Sequence, residues 1–165
     1  MTIRVLVADD QAMIRGALAG LLDLERDIEV VAQAADGAQA LEELGRLADS
    51  SGPTRANAPA DVAIIDIEMP RMDGITATQA IRARFPGVRV LIVTTFGRPG
   101  YLQRALDAGA TGFTVKDAPV ETLAEGVRTV AAGGRAIDQN LALEALATGS
   151  SPLTDREADV LREVE

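Results

Sequence analysis

Three aspartates lie in or at the end of two apolar segments of the chain. A carboxylate buried there without a partner would be energetically unfavourable. Asp9 and Asp10 close the apolar run that begins at Ile3. Asp66 lies within a second run that begins at Val62. An unpaired carboxylate removed from water is unfavourable, so strands of this kind rarely carry one without a use. If the two runs are neighbouring parallel strands, the acids converge at their carboxyl ends, where open α/β sheets hold ligands. We expect a site there for a hard divalent cation, with one carboxylate left available as a nucleophile.

A hydroxyl and an ammonium group extend this set. Thr94 ends a later apolar run, and Lys116 directly follows the next one. In a parallel sheet in register, both side chains emerge at the same edge as the acids. Such a crevice favours phosphoryl transfer, in which Asp66 attacks phosphorus and a bound cation neutralises the phosphoryl oxygens. Lys116 would then pair with the charge of the product, and Thr94 would donate a hydrogen bond.

Composition limits the other possibilities. The chain has 165 residues, 47% of them hydrophobic, which suits one domain with a packed core plus an appendage. Its net charge of −9 argues against this stretch binding nucleic acid or an anionic membrane by itself. Cysteine and histidine are absent, which excludes thiolate and imidazole chemistry. With no leader-like segment and no long apolar span, we expect a cytoplasmic protein without a membrane partner.

The elements that must position these groups alternate regularly along the chain. Apolar runs predict strands at Ile3–Ala8, Ile28–Ala35, Val62–Asp66, Val88–Thr94 and Thr111–Val115. Periodic apolar positions, turn residues and helix-forming composition predict helices at Gln11–Leu24, Ala38–Ala48, Gly74–Arg84, Tyr101–Ala108 and Pro119–Ala132. The segment Asp49–Ala60, rich in small and turn residues, is interpreted as a tolerated surface loop. Repeated βα units with continuously apolar strands predict an α/β fold with a doubly wound, five-stranded parallel sheet.

The last part of the chain has a different character. A helix is predicted at Asp138–Ala147, followed by a linker of small residues at Thr148–Pro152. Beyond it, Thr154 and Glu157 have the spacing of a capping box at the start of another helix. One helix cannot bury its own apolar face, so the chain is expected to be truncated within a further domain. We therefore predict three parts: a domain at 1–133, a helical linker at 134–152 and the start of a second domain at 153–165.

Four motifs in order resemble the receiver domain of a bacterial response regulator. They are Val7-Ala8-Asp9-Asp10, the segment from Ile65 through Met69-Pro70 to Asp73-Gly74, Val93-Thr94-Thr95, and Gly112-Phe113-Thr114-Val115-Lys116-Asp117. The resemblance covers about residues 2–133. The tail Leu153–Leu161 is similar to the opening of a LuxR-type helix-turn-helix, which indicates the NarL/FixJ class. The implied fold is flavodoxin-like, with strand order 2-1-3-4-5.

The resemblance implies a metal and phosphorylation site. Asp66 would accept a phosphoryl group from the phosphohistidine of a sensor histidine kinase. Asp10 would bind Mg²⁺ directly, Asp9 would act through water or orient the site, and the backbone carbonyl of Glu68 would supply the third protein ligand.

The resemblance also implies how the signal leaves the site. Thr94 and Lys116 would contact the phosphoryl oxygens, and Thr94 and Phe113 would form the switch. The domain would be a phosphoacceptor switch, not an enzyme in the ordinary sense, although it would assist its own phosphorylation and slow dephosphorylation. Phosphorylation would favour a homodimer, and DNA would be bound by the output domain of the full-length protein rather than by this stretch.

Two alternatives remain open at this point. A free-standing phosphatase would use Asp66 as nucleophile and release phosphate over many turnovers. The chain lacks a cap domain for that role, and Glu68 stands where a general-acid aspartate would be expected. A receiver-like interaction module would never be phosphorylated. Mg²⁺-dependent labelling by acetyl phosphate separates all three interpretations.

Overall fold

The alternating apolar and amphipathic segments form a layered α/β structure. A computed structural model describes residues 2–50, 59–94, 100–116 and 118–137. The strands are β1 (Ile3–Ala8), β2 (Ile28–Ala34), β3 (Val62–Asp66), β4 (Arg89–Thr94), β5 (Gly112–Val115) and β6 (Ala136–Ile137). The helices are α1 (Ala12–Asp23), α2 (Gly37–Ser50), α3 (Gly74–Arg84), α4 (Tyr101–Ala108) and α5 (Val120–Ala131). No helix in these described stretches is both long and apolar enough to cross a bilayer.

The sheet confirms the predicted topology but not the predicted number of strands. Its order is β2-β1-β3-β4-β5-β6, and each neighbouring pair is parallel. The prediction of five strands is wrong, because Ala136 and Ile137 pair with Gly112 and Phe113. A strand of two residues is too short to produce a recognisable sequence period, and only the course of the chain after α5 brings it beside β5. The predicted helix Asp138–Ala147 and residues 153–165 lie outside the described part of the chain.

Successive residues of each strand point to opposite faces of the sheet and pack into two apolar cores, one on each face. One core joins the sheet to α2, α3 and α4, with Leu6, Ile65 and Ile92 among its buried members. The other joins it to α1 and α5 through residues such as Val5 and Ile64. This two-sided burial explains why the strands are almost continuously apolar.

Most of the predicted elements are found within one or two residues of their expected limits. The largest difference is at the end of α2, which continues to Ser50, so that Asp49 is helical and not part of a loop. Extending an existing helix costs little, so it can pass through residues that are poor helix formers. Residues 51–58 of the predicted loop lie outside the described residues.

Candidate functional site

The register of β1 and β3 brings the predicted acids together. Ala8 pairs with Ile65, so Asp9 and Asp66 follow at the same level of adjacent strands. Carboxylate oxygens of Asp9, Asp10 and Asp66 lie within 4.8 Å of one another. Asp9 is 1% and Asp66 6% exposed, whereas Asp10 is open to solvent. The three side chains therefore form an acidic cluster that is closed on the protein side and open at the edge of the sheet.

Lys116 bridges two of these carboxylates. Its Nζ lies 2.7 Å from Oδ2 of Asp9 and 3.2 Å from Oδ2 of Asp66. Its backbone N–H donates to the carbonyl of Thr94 at 2.7 Å, which ties the ends of β4 and β5 together. Lys116 follows β5, which is three strands away from β1 in the sheet. Its long side chain nevertheless brings the ammonium group to the carboxylates of Asp9 and Asp66.

The cluster carries more negative than positive charge. When all groups are ionised, three carboxylates face one ammonium group. Burial raises the pKa of Asp66 to about 6, and the charges of Asp9 and Asp10 add to this, while Lys116 opposes it. For Lys116 burial acts to lower the pKa, but its hydrogen bond to Asp9 and attraction to Asp66 prevail and raise it. A divalent cation bound by these oxygens would relieve the repulsion.

Asp9 is held by contacts on both of its carboxylate oxygens. The backbone N–H of Gln11 donates to Oδ1 at 2.9 Å, and Lys116 contacts Oδ2. Arg15 donates to the backbone carbonyl of Asp9 at 2.8 Å, which anchors the same turn to α1. These contacts fix the orientation of Asp9 and leave the exposed Asp10 the freer of the two adjacent acids.

The loop between β3 and α3, residues 67–73, is packed closely against the end of β3. A Cβ atom on Gly74 would stand 2.1 Å from the carbonyl oxygen of Asp66, so only glycine fits. Its N–H donates to the carbonyl of Ile67 at 2.8 Å. Asp73 caps α3 by accepting a hydrogen bond from the N–H of Thr76 at 2.8 Å. The Asp73-Gly74 pair thus shapes this loop, in which Glu68 lies with its side chain exposed.

Thr94 and Phe113 occupy neighbouring strands on the other side of Asp66. Asp66 pairs with Val93, so Thr94 is the next residue at the carboxyl end of β4, and it is 3% exposed. Phe113 is fully buried in the core shared with α4, opposite Ile92 of β4. Their positions match the predicted layout, and their roles as a switch stay predictions.

One pair of residues near the site was not predicted. The carboxylate of Asp36, at the start of α2, is fully buried and forms an ion pair with Arg71 of the loop after β3. The spacing of Asp36 and Gln39 is a capping signal that was visible in the sequence. Nothing in the sequence connects Arg71 to it, because 35 residues separate the two.

Comparison with known proteins agrees with this geometry. Residues 5–128 match the response regulator receiver domain family, and the chain belongs to that family. It is 41% identical over 159 residues to the transcriptional regulatory protein DesR of Bacillus subtilis, covering 96% of this chain and 73% of that protein. The resemblance drawn from the sequence motifs is therefore confirmed, and the chain carries the receiver domain of a two-component response regulator of transcription.

Solved structures place it in the same class. The signal receiver domain of the response regulator NarL from Mycobacterium tuberculosis is 32% identical, with a TM-score of 0.70 over 80% of this chain and 98% of that one. A CheX–CheY–BeF₃–Mg²⁺ complex from Borrelia burgdorferi contains a chain 25% identical, with a TM-score of 0.63 over 74% of this chain and 84% of that one. Receiver domains are phosphoacceptor switches, which weighs against the phosphatase alternative.

Proposed function

We propose that Asp66 is the phosphoacceptor of this receiver and that its donor is the phosphohistidine of a sensor histidine kinase. The observation that carries the proposal is the position of Lys116 between the buried carboxylates of Asp9 and Asp66. Asp66 is buried at the base of the cluster yet lies at the open edge of the sheet. A carboxylate so placed can reach an incoming phosphoryl group while its neighbours stabilise the added charge.

The transfer exchanges one bond to phosphorus for another. A carboxylate oxygen of Asp66 forms the new bond as the phosphorus–nitrogen bond of the donor breaks, and the electron pair of that bond returns to the imidazole. Lys116 pairs with the phosphoryl oxygens of the product, and Thr94 donates a hydrogen bond to them. Water would later hydrolyse the aspartyl phosphate slowly, which releases inorganic phosphate and restores the carboxylate of Asp66.

The donor set of the site suits Mg²⁺. Asp10 and Asp66 would bind the ion directly with the backbone carbonyl of Glu68, while Asp9 orients the site. Carboxylate and carbonyl oxygens are the ligands this hard cation takes in proteins, and three such carboxylates lie within 4.8 Å of one another here. When bound, Mg²⁺ neutralises charge on the transferring phosphoryl group. The similar CheY complex is described with BeF₃ and Mg²⁺, which supports the same assignment.

Phosphorylation is proposed to act by shifting an existing equilibrium. The phosphoryl group adds charge and acceptor oxygens, Thr94 moves toward it, and Phe113 repacks into the space released. The altered face, from α4 through β5 to α5, favours a two-fold homodimer. Moving such an equilibrium from 1:99 to 99:1 takes about 5.5 kcal/mol of differential interaction. The dimer would bring two helix-turn-helix output domains of the full-length protein onto paired DNA half-sites in the cytoplasm.

An exposed apolar side chain at the start of α1 supports a role for a protein partner. Met13, three residues after Asp10, is 89% exposed. A large apolar side chain left in water beside the acidic cluster favours contact with another protein, here the kinase.

Acetyl phosphate labelling tests the proposal directly. The wild-type protein should gain the mass of one phosphoryl group in the presence of Mg²⁺ and none when the metal is chelated. Asp66→Asn should abolish the gain, because the amide is not a nucleophile. Asp73→Asn is the matched control, since asparagine also caps helices and this acid lies outside the cluster; it should label as wild type does. Labelling that persists in Asp66→Asn would refute the assignment, and a wild-type protein that never labels would indicate the interaction module.

A further inference from the structure

The loop after β3 is attached through Arg71 and Met72 to the start of α2. Asp36, which is fully buried, accepts a hydrogen bond from the N–H of Gln39 at 2.8 Å on Oδ1 and the ion pair from Arg71 on Oδ2. The Arg71 side chain is 70% exposed, and Nη2 at its tip reaches the buried carboxylate of Asp36. Both oxygens of a buried acid are thereby used, one for the helix and one for the loop.

Arg71 adopts a backbone conformation that side chains rarely take. Its φ is 66°, and no other residue except glycine has a positive φ in the described ranges. The N–H of Met72 donates to the carbonyl of Pro70 at 2.7 Å, which makes Arg71 the centre of a γ-turn with positive φ. Strained residues persist where the surrounding structure over-determines them, and they cluster at functional sites.

The backbones of the loop and of α2 are also in direct contact. The N–H of Gly37 donates to the carbonyl of Met72 at 3.2 Å. A Cβ atom at Gly37 would stand 2.8 Å from that carbonyl oxygen and 2.9 Å from the Cβ atom of Ala77. Any side chain there would push the loop away from α2. The ion pair and this close approach therefore restrain the same turn of the loop.

We propose that the Arg71–Asp36 pair is a latch that positions the loop carrying Glu68, and so sets the affinity of the site for Mg²⁺. This inference rests on the proposed function, in which the carbonyl of Glu68 is a ligand. Arg71 and Asp36 are positioning residues: they act through the loop backbone and do not contact the reacting atoms. Groups that orient metal ligands typically change metal affinity about tenfold or more when removed.

The sign of the effect distinguishes the latch from simple electrostatics. Arg71→Gln removes a positive charge that repels Mg²⁺. If the charge acted only through space, the variant would bind Mg²⁺ more tightly. Loss of the latch would make it bind more weakly, because the loop must then be ordered on binding. Arg46 provides the matched control: it is also an exposed arginine, and it pairs with Glu43 within α2 rather than with Asp36.

Two measurements on the whole chain test the proposal. Calorimetric titration with MgCl₂ should show about tenfold weaker binding in Arg71→Gln, partial recovery in Arg71→Lys, and no change in Arg46→Gln. Amide exchange without metal should be faster at Gly37 and Met72 in Arg71→Gln, while thermal unfolding checks that the variants remain folded. Asp36→Asn keeps an acceptor for Gln39, and combining it with Arg71→Gln should weaken binding no more than the larger single change.

The possible outcomes separate the two proposals. Unchanged or tighter Mg²⁺ binding in Arg71→Gln, with wild type binding normally, would overturn the latch alone. Additive losses in the double variant would do the same, because the two residues would then act separately. If the wild-type chain binds no Mg²⁺, the proposed metal site and the latch fall together.

Discussion

Two clusters at opposite edges of the sheet have the same formal charges and opposite electrostatic behaviour. The cluster at the carboxyl edge has one cationic group and three carboxylates, from Lys116, Asp9, Asp10 and Asp66. The cluster near the amino edge also has one cationic group and three carboxylates, from Arg128, Glu25, Asp27 and Glu125. A count of charges would treat them as equivalent.

The amino-edge cluster is a partly exposed set of satisfied ion pairs. Arg128 of α5 reaches Asp27 at 2.8 Å and Glu25 at 2.6 Å, both in the turn between α1 and β2. The hydrogen bond from Arg128 lowers the pKa of Asp27. For Asp27, the hydrogen bond from the arginine outweighs the opposing effect of desolvation. This cluster fastens α5 to the turn.

The carboxyl-edge cluster differs because it is buried. Lys116 is available to Asp66 at 3.2 Å, yet burial still raises the pKa of Asp66 to about 6. Desolvation, and not the number of charges, therefore distinguishes the candidate site from the other group of acids. A cation bound by the buried acids would offset the repulsion between their desolvated charges.

The largest expected effect comes from removing the buried cation. Lys116→Met leaves Asp9 and Asp66 facing each other without compensation, and breaking a buried pair typically costs about 3–5 kcal/mol. The free energy of unfolding from urea titration near pH 7.5 should fall by that amount. The loss should be smaller near pH 5, where Asp66 is protonated. A loss that does not depend on pH would show that the methionine acts through packing rather than charge.

A smaller effect is expected from neutralising the acid itself. The folded protein keeps a proton on Asp66 up to about pH 6, whereas the unfolded chain loses it near the ordinary value of 3.8. Because the folded state binds more protons across this window, wild-type stability due to Asp66 falls as the pH rises through it. Asp66→Asn should remove this fall and be more stable above pH 6, by at most about 3 kcal/mol. Urea titrations between pH 4 and 8 without metal measure the difference.

Asp27→Asn is the matched control, because the pH dependence of stability due to Asp27 has the opposite sign to that due to Asp66. Its pKa is lowered in the folded state, so the stability it contributes is present at neutral pH and is lost as the pH falls through that lowered value. Parallel pH profiles for the two asparagine variants would contradict the contrast between the clusters.

Replacing the partly exposed cation, Arg128, should change stability least. Arg128→Met should lower the free energy of unfolding by about 1 kcal/mol or less, because exposed ion pairs are weak. Most of that loss should disappear near 1 M NaCl, where the screening length is about 3 Å. The Lys116→Met loss should persist at the same salt concentration. Equal salt dependence in the two variants would remove the distinction between buried and exposed pairs.

Much of the fold was predictable because its signals are local. β3, α3 and α4 begin and end at the predicted residues, since apolar runs, an aspartate cap and glycine stops mark their limits. β6 was missed because two residues carry no period, and its existence depends on where α5 delivers the chain. The end of α2 was misplaced because helix propagation overrode the composition of its last residues.

The candidate site divides in the same way. The acids and Lys116 could be named because residues at the carboxyl ends of parallel strands must share one edge. The contact between Asp36 and Arg71 could not, because it joins a helix start to a loop 35 residues later.

The residue types and their order are enough to predict which groups could do chemistry, the alternation of strands and helices, and the edge at which the acids meet, because periodicity and strand ends depend on neighbouring residues. The degree to which each group is desolvated, and the distant residue that restrains it, follow only from the packing of the folded chain. Asp66 and Asp27 are both aspartates beside a cation, and burial raises the pKa of one while an exposed hydrogen bond lowers that of the other. Desolvation depends on everything packed around a carboxylate, and no local stretch of chain specifies that.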